Sequence, residues 1–185
     1  KVLLATNIEY VFRRSKLGVY YVYDSQSKSL NKIADTKIIE PTFSPDGTKV
    51  AYGYMNNLYI KDLATGKTKQ ITFDGIKNKI INGITDWVYE EEFGFVRAFD
   101  WNASSNQIAF IRFDETEVPE FSMDVYGKKL YPSQHVFKYP KAGEKNAIVS
   151  LHIYNLDSEK TSKVEMSQSY EDFYIPRIEW TNEAN

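Results

Sequence analysis

The sequence contains no cysteine, which excludes disulfide staples, cysteine-ligated zinc and a thiol nucleophile. It has two histidines, His135 and His152, and no Gly-x-Ser-x-Gly, so the nucleophile elbow of a serine hydrolase is missing and no catalytic residue is expected in this chain. An excess of one charge is also absent. The 23 Lys and Arg against 25 Asp and Glu give no general attraction to nucleic acid or anionic lipid, and no nucleic-acid partner is expected. Apolar runs are all far too short to form a membrane-spanning helix. No metal and no cofactor is expected.

Aromatic residues, by contrast, are plentiful. The 14 Tyr, 11 Phe and 3 Trp favour strands packed on aromatic side chains over helical bundles. The chain opens on the strand-like run Lys1-Val2-Leu3-Leu4-Ala5 without an initiator Met, and closes on Ile178-Glu179-Trp180-Thr181-Asn182, another strand start. The expectation is a piece cut from a longer protein, with any targeting signal outside it.

Three segments superimpose without gaps: Tyr23-Asp24 to Ile33, Lys61-Asp62 to Ile71, and Tyr154-Asn155 to Val164. Each has an apolar residue two before the Asp or Asn (Val22, Ile60, Ile153) and turn-forming residues after it, which predicts strand, tight turn, strand. A second element interleaves with the first. Phe43-Ser44-Pro45-Asp46-Gly47 leading to Val50-Ala51-Tyr52 aligns with Trp101 to Phe110, and Trp180-Thr181-Asn182 resembles the start of a third copy. Asp24 to Phe43 and Phe43 to Asp62 are both 19 residues, so the unit is 38. That is near the roughly 40–45 of a four-stranded propeller blade. The predicted fold is all-β, about three blades of a β-propeller over residues 1–185. A β-sandwich is the alternative.

Three stretches interrupt this period, and insertions in repeat scaffolds are where binding sites and partner contacts are built. The first, about residues 82–94, runs through Thr85-Asp86-Trp87-Val88-Tyr89-Glu90-Glu91-Glu92-Phe93-Gly94. Thr85 or Asp86 as N-cap and Gly94 as stop predict a short helix, with Trp87 and Val88 docked on the scaffold. On a helix Glu91 and Glu92 can converge on one cation, above all a primary ammonium with its three donors. A solvated acidic turn and a calcium site are the other readings, although the calcium reading lacks a regular ligand spacing. A propeller has no evident structural need for three adjacent carboxylates.

The second stretch, Asn7 to Ser15, carries Arg13 and Arg14, read either as surface charges or as a guanidinium reaching for a carbonyl or carboxylate. The third, about 119–146 (Pro119 to Asn146), holds Phe121, Tyr126, Tyr131, Phe137 and Tyr139. It predicts a projecting hairpin that buries its apolar residues against another subunit or domain, or else an arm folded back on its own blade. His135 and His152 are expected to be structural, with no nucleophile beside them. Asn102-Ala103-Ser104 fits a glycosylation sequon within a repeat turn.

Asp86-Trp87-Val88-Tyr89-Glu90-Glu91-Glu92, Phe113 to Pro119, Tyr139-Pro140-Lys141-Ala142-Gly143 and Asn7 to Arg13 together closely resemble the propeller domain of the dipeptidyl peptidase IV family, serine exopeptidases of the prolyl oligopeptidase clan. The resemblance covers essentially the whole chain. It implies an eight-bladed propeller that caps an α/β-hydrolase domain absent from this chain, and release of N-terminal dipeptides with Pro or Ala second. By resemblance Glu91 and Glu92 bind the free α-amino group of a peptide substrate. Arg13, with Arg14 as the fallback, contacts the carbonyl of its penultimate residue. The same resemblance implies a homodimer through the 119–146 arm and a periplasmic, extracellular or cell-surface location. A tripeptidyl peptidase relative, and a non-catalytic propeller that binds peptides or proteins, are the alternatives.

Overall fold

A computed structural model describes residues 1–167 and 172–181. The turn chemistry of the repeats explains the hairpins. Asp24 Oδ1 accepts the backbone N–H groups of Gln26 and Ser27, Asp62 Oδ1 those of Ala64 and Thr65, and Asn155 Oδ1 that of Ser158. A short side chain that bonds the backbone two or three residues on stands in for a backbone turn. The fourth residue after each Asp or Asn takes a left-handed φ: Lys28 56°, Gly66 72° and Glu159 57°. The interleaved turns repeat the device. Asn102 Oδ1 accepts N–H bonds from Asn106 and Gln107, and Ser44 Oγ accepts one from Lys49.

In chain order the strands are β1 (Val2–Tyr10), β2 (Lys16–Asp24), β3 (Ser29–Lys32), β4 (Ile39–Phe43), β5 (Lys49–Tyr54), β6 (Asn57–Asp62), β7 (Thr68–Gln70) and β8 (Ile80–Asn82). They continue with β9 (Phe99–Trp101), β10 (Gln107–Asp114), β11 (Glu120–Val125), β12 (Ser133–Lys138), β13 (Ile148–Asn155) and β14 (Lys160–Lys163). Strands β4-β5-β6-β7 make one four-stranded antiparallel sheet, a complete blade. Before it stands the three-stranded sheet β1-β2-β3, and after it the sheet β14-β13-β10-β8.

The interruptions have definite places in this arrangement. The residues added before Asp24 lengthen the β1–β2 hairpin, with a bulge between Thr6 and Glu9 and Asn7 at φ 52°. β10 is long enough to pair with β9 at its start (Ile108 opposite Trp101) and with β8 at its end (Arg112 opposite Asn82). The acidic insert therefore bulges out between two strands that share one edge of β10. β11 and β12 form a separate two-stranded arm between β10 and β13.

Alternate residues of each strand meet between consecutive sheets. Tyr20, Val22, Ile33, Val50 and Tyr52 form one apolar cluster, and Leu58, Ile60, Phe99, Ile108, Phe110 and Tyr154 belong to the next. Three sheets packed in series form a propeller segment, not a two-sheet sandwich. The expected third copy of the interleaved element is only partly described, since Asn182 lies outside the described residues. Trp180 donates its indole N–H to Asp100 O at 3.0 Å, and residues 172–181 form no strand.

Candidate functional site

The acidic insert begins at Asp86, a buried carboxyl whose Oδ1 accepts Tyr89 N–H at 2.9 Å while its backbone carbonyl accepts Glu90 N–H at 3.2 Å. Asp86 therefore caps the turn, as expected. Gly94 closes it at φ 76°, where a Cβ would be strained. Between them the predicted short helix forms as a single π-helical turn, Tyr89–Phe93. Single π-turns of this kind are frequent at functional sites, and here contacts from outside the turn hold it. Tyr89 is buried, its hydroxyl accepts Ile175 N–H at 2.9 Å, and its ring meets Phe113 edge-on at 4.8 Å. Burial pushes the Tyr89 hydroxyl up to about 12. Trp87 docks on the arm rather than on a blade, with its ring 4.4 Å from that of Tyr139.

The three glutamates have three different surroundings. Glu90 is fully buried, and its Oε1 accepts the backbone N–H groups of Arg14 and Ser15, the latter at 2.9 Å. This corrects the expectation that a propeller has no structural need for the acidic run, since one of the three ties the insert to the tip of the β1–β2 hairpin. Glu91 is largely covered (17% exposed), and its Oε2 lies 3.2 Å from Nε of Arg13, which is 73% exposed. Glu92 is exposed and borders a cavity of about 290 Å³ that Trp87, Tyr139, Lys141 and Tyr174 also line. Of the two arginines it is Arg13 whose guanidinium reaches a carboxylate of the run. Arg14 contributes a backbone N–H to Glu90, and its guanidinium lies beside Gly94.

The hairpin tip is ordered by its own bonds. Ser15 O accepts Val11 N–H at 2.9 Å and Ser15 Oγ accepts Phe12 N–H at 3.2 Å. Phe12 carries the tip onto the arm, against Phe137 at 5.4 Å and His135 at 5.9 Å. All three interruptions therefore meet in space, through Phe12, Trp87 and the Phe137–Tyr139 part of the arm. The arm forms as the expected hairpin. Its base folds back on the chain, whereas Tyr126, Leu130 and Tyr131 at its tip project, 79–90% exposed.

Sequence reasoning did not single out Phe12, Glu90 or Glu115. Glu115, at the foot of the arm, is buried, and its carboxyl is pushed up to about 7 by burial and then by the charge of Asp86. Asp86 itself is raised to about 6 by burial. A glutamate immediately before the arm was the available signal, but nothing in the pattern marked it as buried. His152 differs from expectation in having a hydroxyl partner: Ser150 Oγ lies 2.9 Å from Nε2, within one strand, and the ring stacks on Phe110. Burial lowers its pKa. Among the described residues no group of three or more His, Cys, Asp or Glu side chains is placed to hold a metal ion.

Fold and site together define a propeller segment whose departures from the blade pattern bring Arg13 and Glu91 together, with Glu92 bordering a separate cavity beside them. The family model for the dipeptidyl peptidase IV (DPP IV) N-terminal region matches residues 1–185, and the chain belongs to that family. It is 44% identical to the crystal structure of Porphyromonas gingivalis dipeptidyl peptidase 4, with a TM-score of 0.92 over 97% of this chain and 26% of that one. Among curated relatives, a "Probable dipeptidyl-aminopeptidase B" of Chaetomium globosum is 32% identical over 97% of this chain and 21% of its own length. Human "Prolyl endopeptidase FAP" is 36% identical over 82% of this chain and 20% of its own length. The chain thus spans about a fifth of the length of these curated relatives.

Proposed function

We propose that this chain is the substrate-recognition portion of a dipeptidyl peptidase IV-like serine peptidase that releases N-terminal dipeptides, preferring Pro or Ala at the second position. The observation that carries the reading is the meeting of Arg13 and Glu91 at 3.2 Å, from two separate insertions, next to the exposed Glu92. A free α-amino group has a pKa of about 7.7–8.0 and is mostly an ammonium at neutral pH. It donates three hydrogen bonds, and each carboxylate accepts several, so Glu91 can hold Arg13 and the ammonium together while Glu92 takes a further donor. An acetylated or internal peptide offers no such charge.

Arg13, with its guanidinium exposed, then faces the carbonyl of the substrate's penultimate residue. Anchoring the amine at a fixed distance from the nucleophile selects cleavage after the second residue. The nucleophile belongs to an α/β-hydrolase domain of the same protein, outside this chain, and the exposed arm tip serves a homodimer. Such a protein belongs in the periplasm, outside the cell or at its surface, as the family resemblance implies.

The test is made in the full-length protein. Glu91→Gln and Glu92→Gln should each lower kcat/KM for dipeptidyl substrates roughly 10- to 100-fold, the worth of one hydrogen bond to a charged group. Wild-type turnover by both variants would rule the amine clamp out. Activity restricted to tripeptide release would move the assignment to a tripeptidyl relative. No peptidase activity with retained peptide binding would make it a non-catalytic propeller.

A further inference from the structure

We infer that Glu90 is a positioning residue for substrate recognition: it clamps the hairpin tip so that Arg13 stands over Glu91. The inference rests on the recognition reading above and assigns the third carboxylate of the run a task different from that of its two neighbours.

The argument starts from solvent. Glu90 is the one glutamate of the three with no exposure at all, so no substrate group can reach it. Its Oε1 is committed to the N–H groups of Arg14 and Ser15, residues 76 and 75 positions away in the chain. Its Oε2 is buried and makes no hydrogen bond to the described residues, so the attachment depends on that one oxygen. Carboxylate bonds to backbone N–H groups are charge-assisted and directional, and they fix the position of the donors more firmly than neutral bonds do.

Arg13 immediately precedes these two donors. On its other side Phe12 is held by Ser15 Oγ and by the ring of Phe137. Arg13 is thus the free span of a loop pinned at both ends, and Glu90 supplies the pin on the Glu91 side. Glu90 and Glu91 are adjacent on the same π-helical turn. The turn that presents the amine ligand therefore also sets where the arginine stands, and the two cannot drift apart independently. Without Glu90 the tip keeps its own bonds and its contact with the arm but loses its backbone attachment to the insert, and the 3.2 Å pair is then poorly held against solvent at a side chain as exposed as Arg13.

The experiment is a double-substitution cycle in the full-length protein, with a dipeptidyl chromogenic substrate as probe. Glu90→Ala should raise KM about tenfold, equivalent to about 1.4 kcal/mol, with kcat within about twofold of wild type. Glu90→Gln keeps a carbonyl acceptor for the two N–H groups and should recover most of that loss. In an Arg13→Ala background either Glu90 substitution should add less than about twofold, because its effect passes through Arg13. Amide hydrogen exchange at Arg14 and Ser15 should rise in Glu90→Ala and stay near wild type in Glu90→Gln.

An equal rise in KM on Glu90→Ala with and without Arg13 would overturn the inference, as would unchanged exchange at Arg14 and Ser15 in Glu90→Ala. If Glu90→Ala does not fold, Glu90→Asp, which draws the carboxylate back by one methylene, takes its place in the cycle with the same expected outcomes. Should Glu91→Gln and Arg13→Ala both leave turnover unchanged, the recognition reading has failed. The exchange measurement would then still report whether Glu90 holds the tip.

Discussion

The β4–β7 blade and the cluster around the π-helical turn are built by opposite rules. In the blade, buried strand positions are mostly apolar (Val50, Ala51, Leu58, Ile60, with Asn57 the polar exception), and most of the turn bonds run to residues two to five positions away. In the cluster, buried positions include Asp86, Glu90 and Glu115, and the bonds that satisfy Glu90 cross 75 and 76 residues of chain. A blade can thus form from local information plus its neighbours. The site exists only once three distant insertions have docked. Burying carboxyls costs stability unless each is bonded or kept neutral, so the cluster is where stability is given up for geometry.

The largest expected effect tests the blade side of this contrast. Ile108 is fully buried on β10, the strand that pairs with β8, β9 and β13. Ile108→Ala should cost about 2–5 kcal/mol of stability, read from the denaturant midpoint, and leave KM for a dipeptidyl substrate unchanged. Glu91→Gln should do the reverse, altering turnover with little change in stability. A core substitution that shifted KM as strongly as Glu91→Gln would end the division between scaffold and site.

The next effect tests the cost of the cluster. Glu115 has an ordinary value of 4.5 and is raised to about 7 in the fold, with burial first and the charge of Asp86 second, against the opposing charge of Lys138. A raised acid favours folding while it keeps its proton. Its contribution is complete below about 4.5 and is lost as the pH rises through about 7. Asp86 acts in the same sense between 3.8 and about 6. Glu115→Gln should therefore flatten the fall in stability over this window, by roughly 2–3 kcal/mol between its ends. An unchanged slope across the window would mean that the two carboxyls are not penalised by burial.

The same contrast explains what could be read in the sequence. The propeller was legible because its information is periodic: Asp24, Asp62 and Asn155 recur with apolar residues at fixed offsets, and each makes the same local turn. The insert's bounds were legible because Asp86 and Gly94 carry capping chemistry. The resemblance put Glu91 and Arg13 on one substrate, but their direct pairing was not foreseen, for no local rule joins positions so far apart. The separate fate of Glu90 was not legible at all. Three identical side chains in a row look alike in sequence, and only the packing of a distant hairpin decides which is buried. For the same reason Phe12 looked like one aromatic among many, and Ser150 beside His152 looked like an ordinary strand residue.

The smallest effect is also the strictest test of local encoding. Asp24→Ala, Asp62→Ala and Asn155→Ala each remove the oxygen that organises one hairpin turn, and each should lower the melting temperature by only about 2–4 °C. Asp62 also accepts the hydroxyl of Thr65 at 2.8 Å and Asn155 that of Ser158 at 3.0 Å, while Asp24 has its two backbone donors alone. The order of loss should follow those extra bonds, with Asp24→Ala the mildest. The three effects should also add in the triple variant, since the three side chains lie on different sheets and each of the bonds above stays within its own turn. Strong non-additivity would mean that one blade's turn depends on the next. The blades would then be coupled as closely as the insertions are, and the contrast between a locally encoded scaffold and a globally assembled site would collapse.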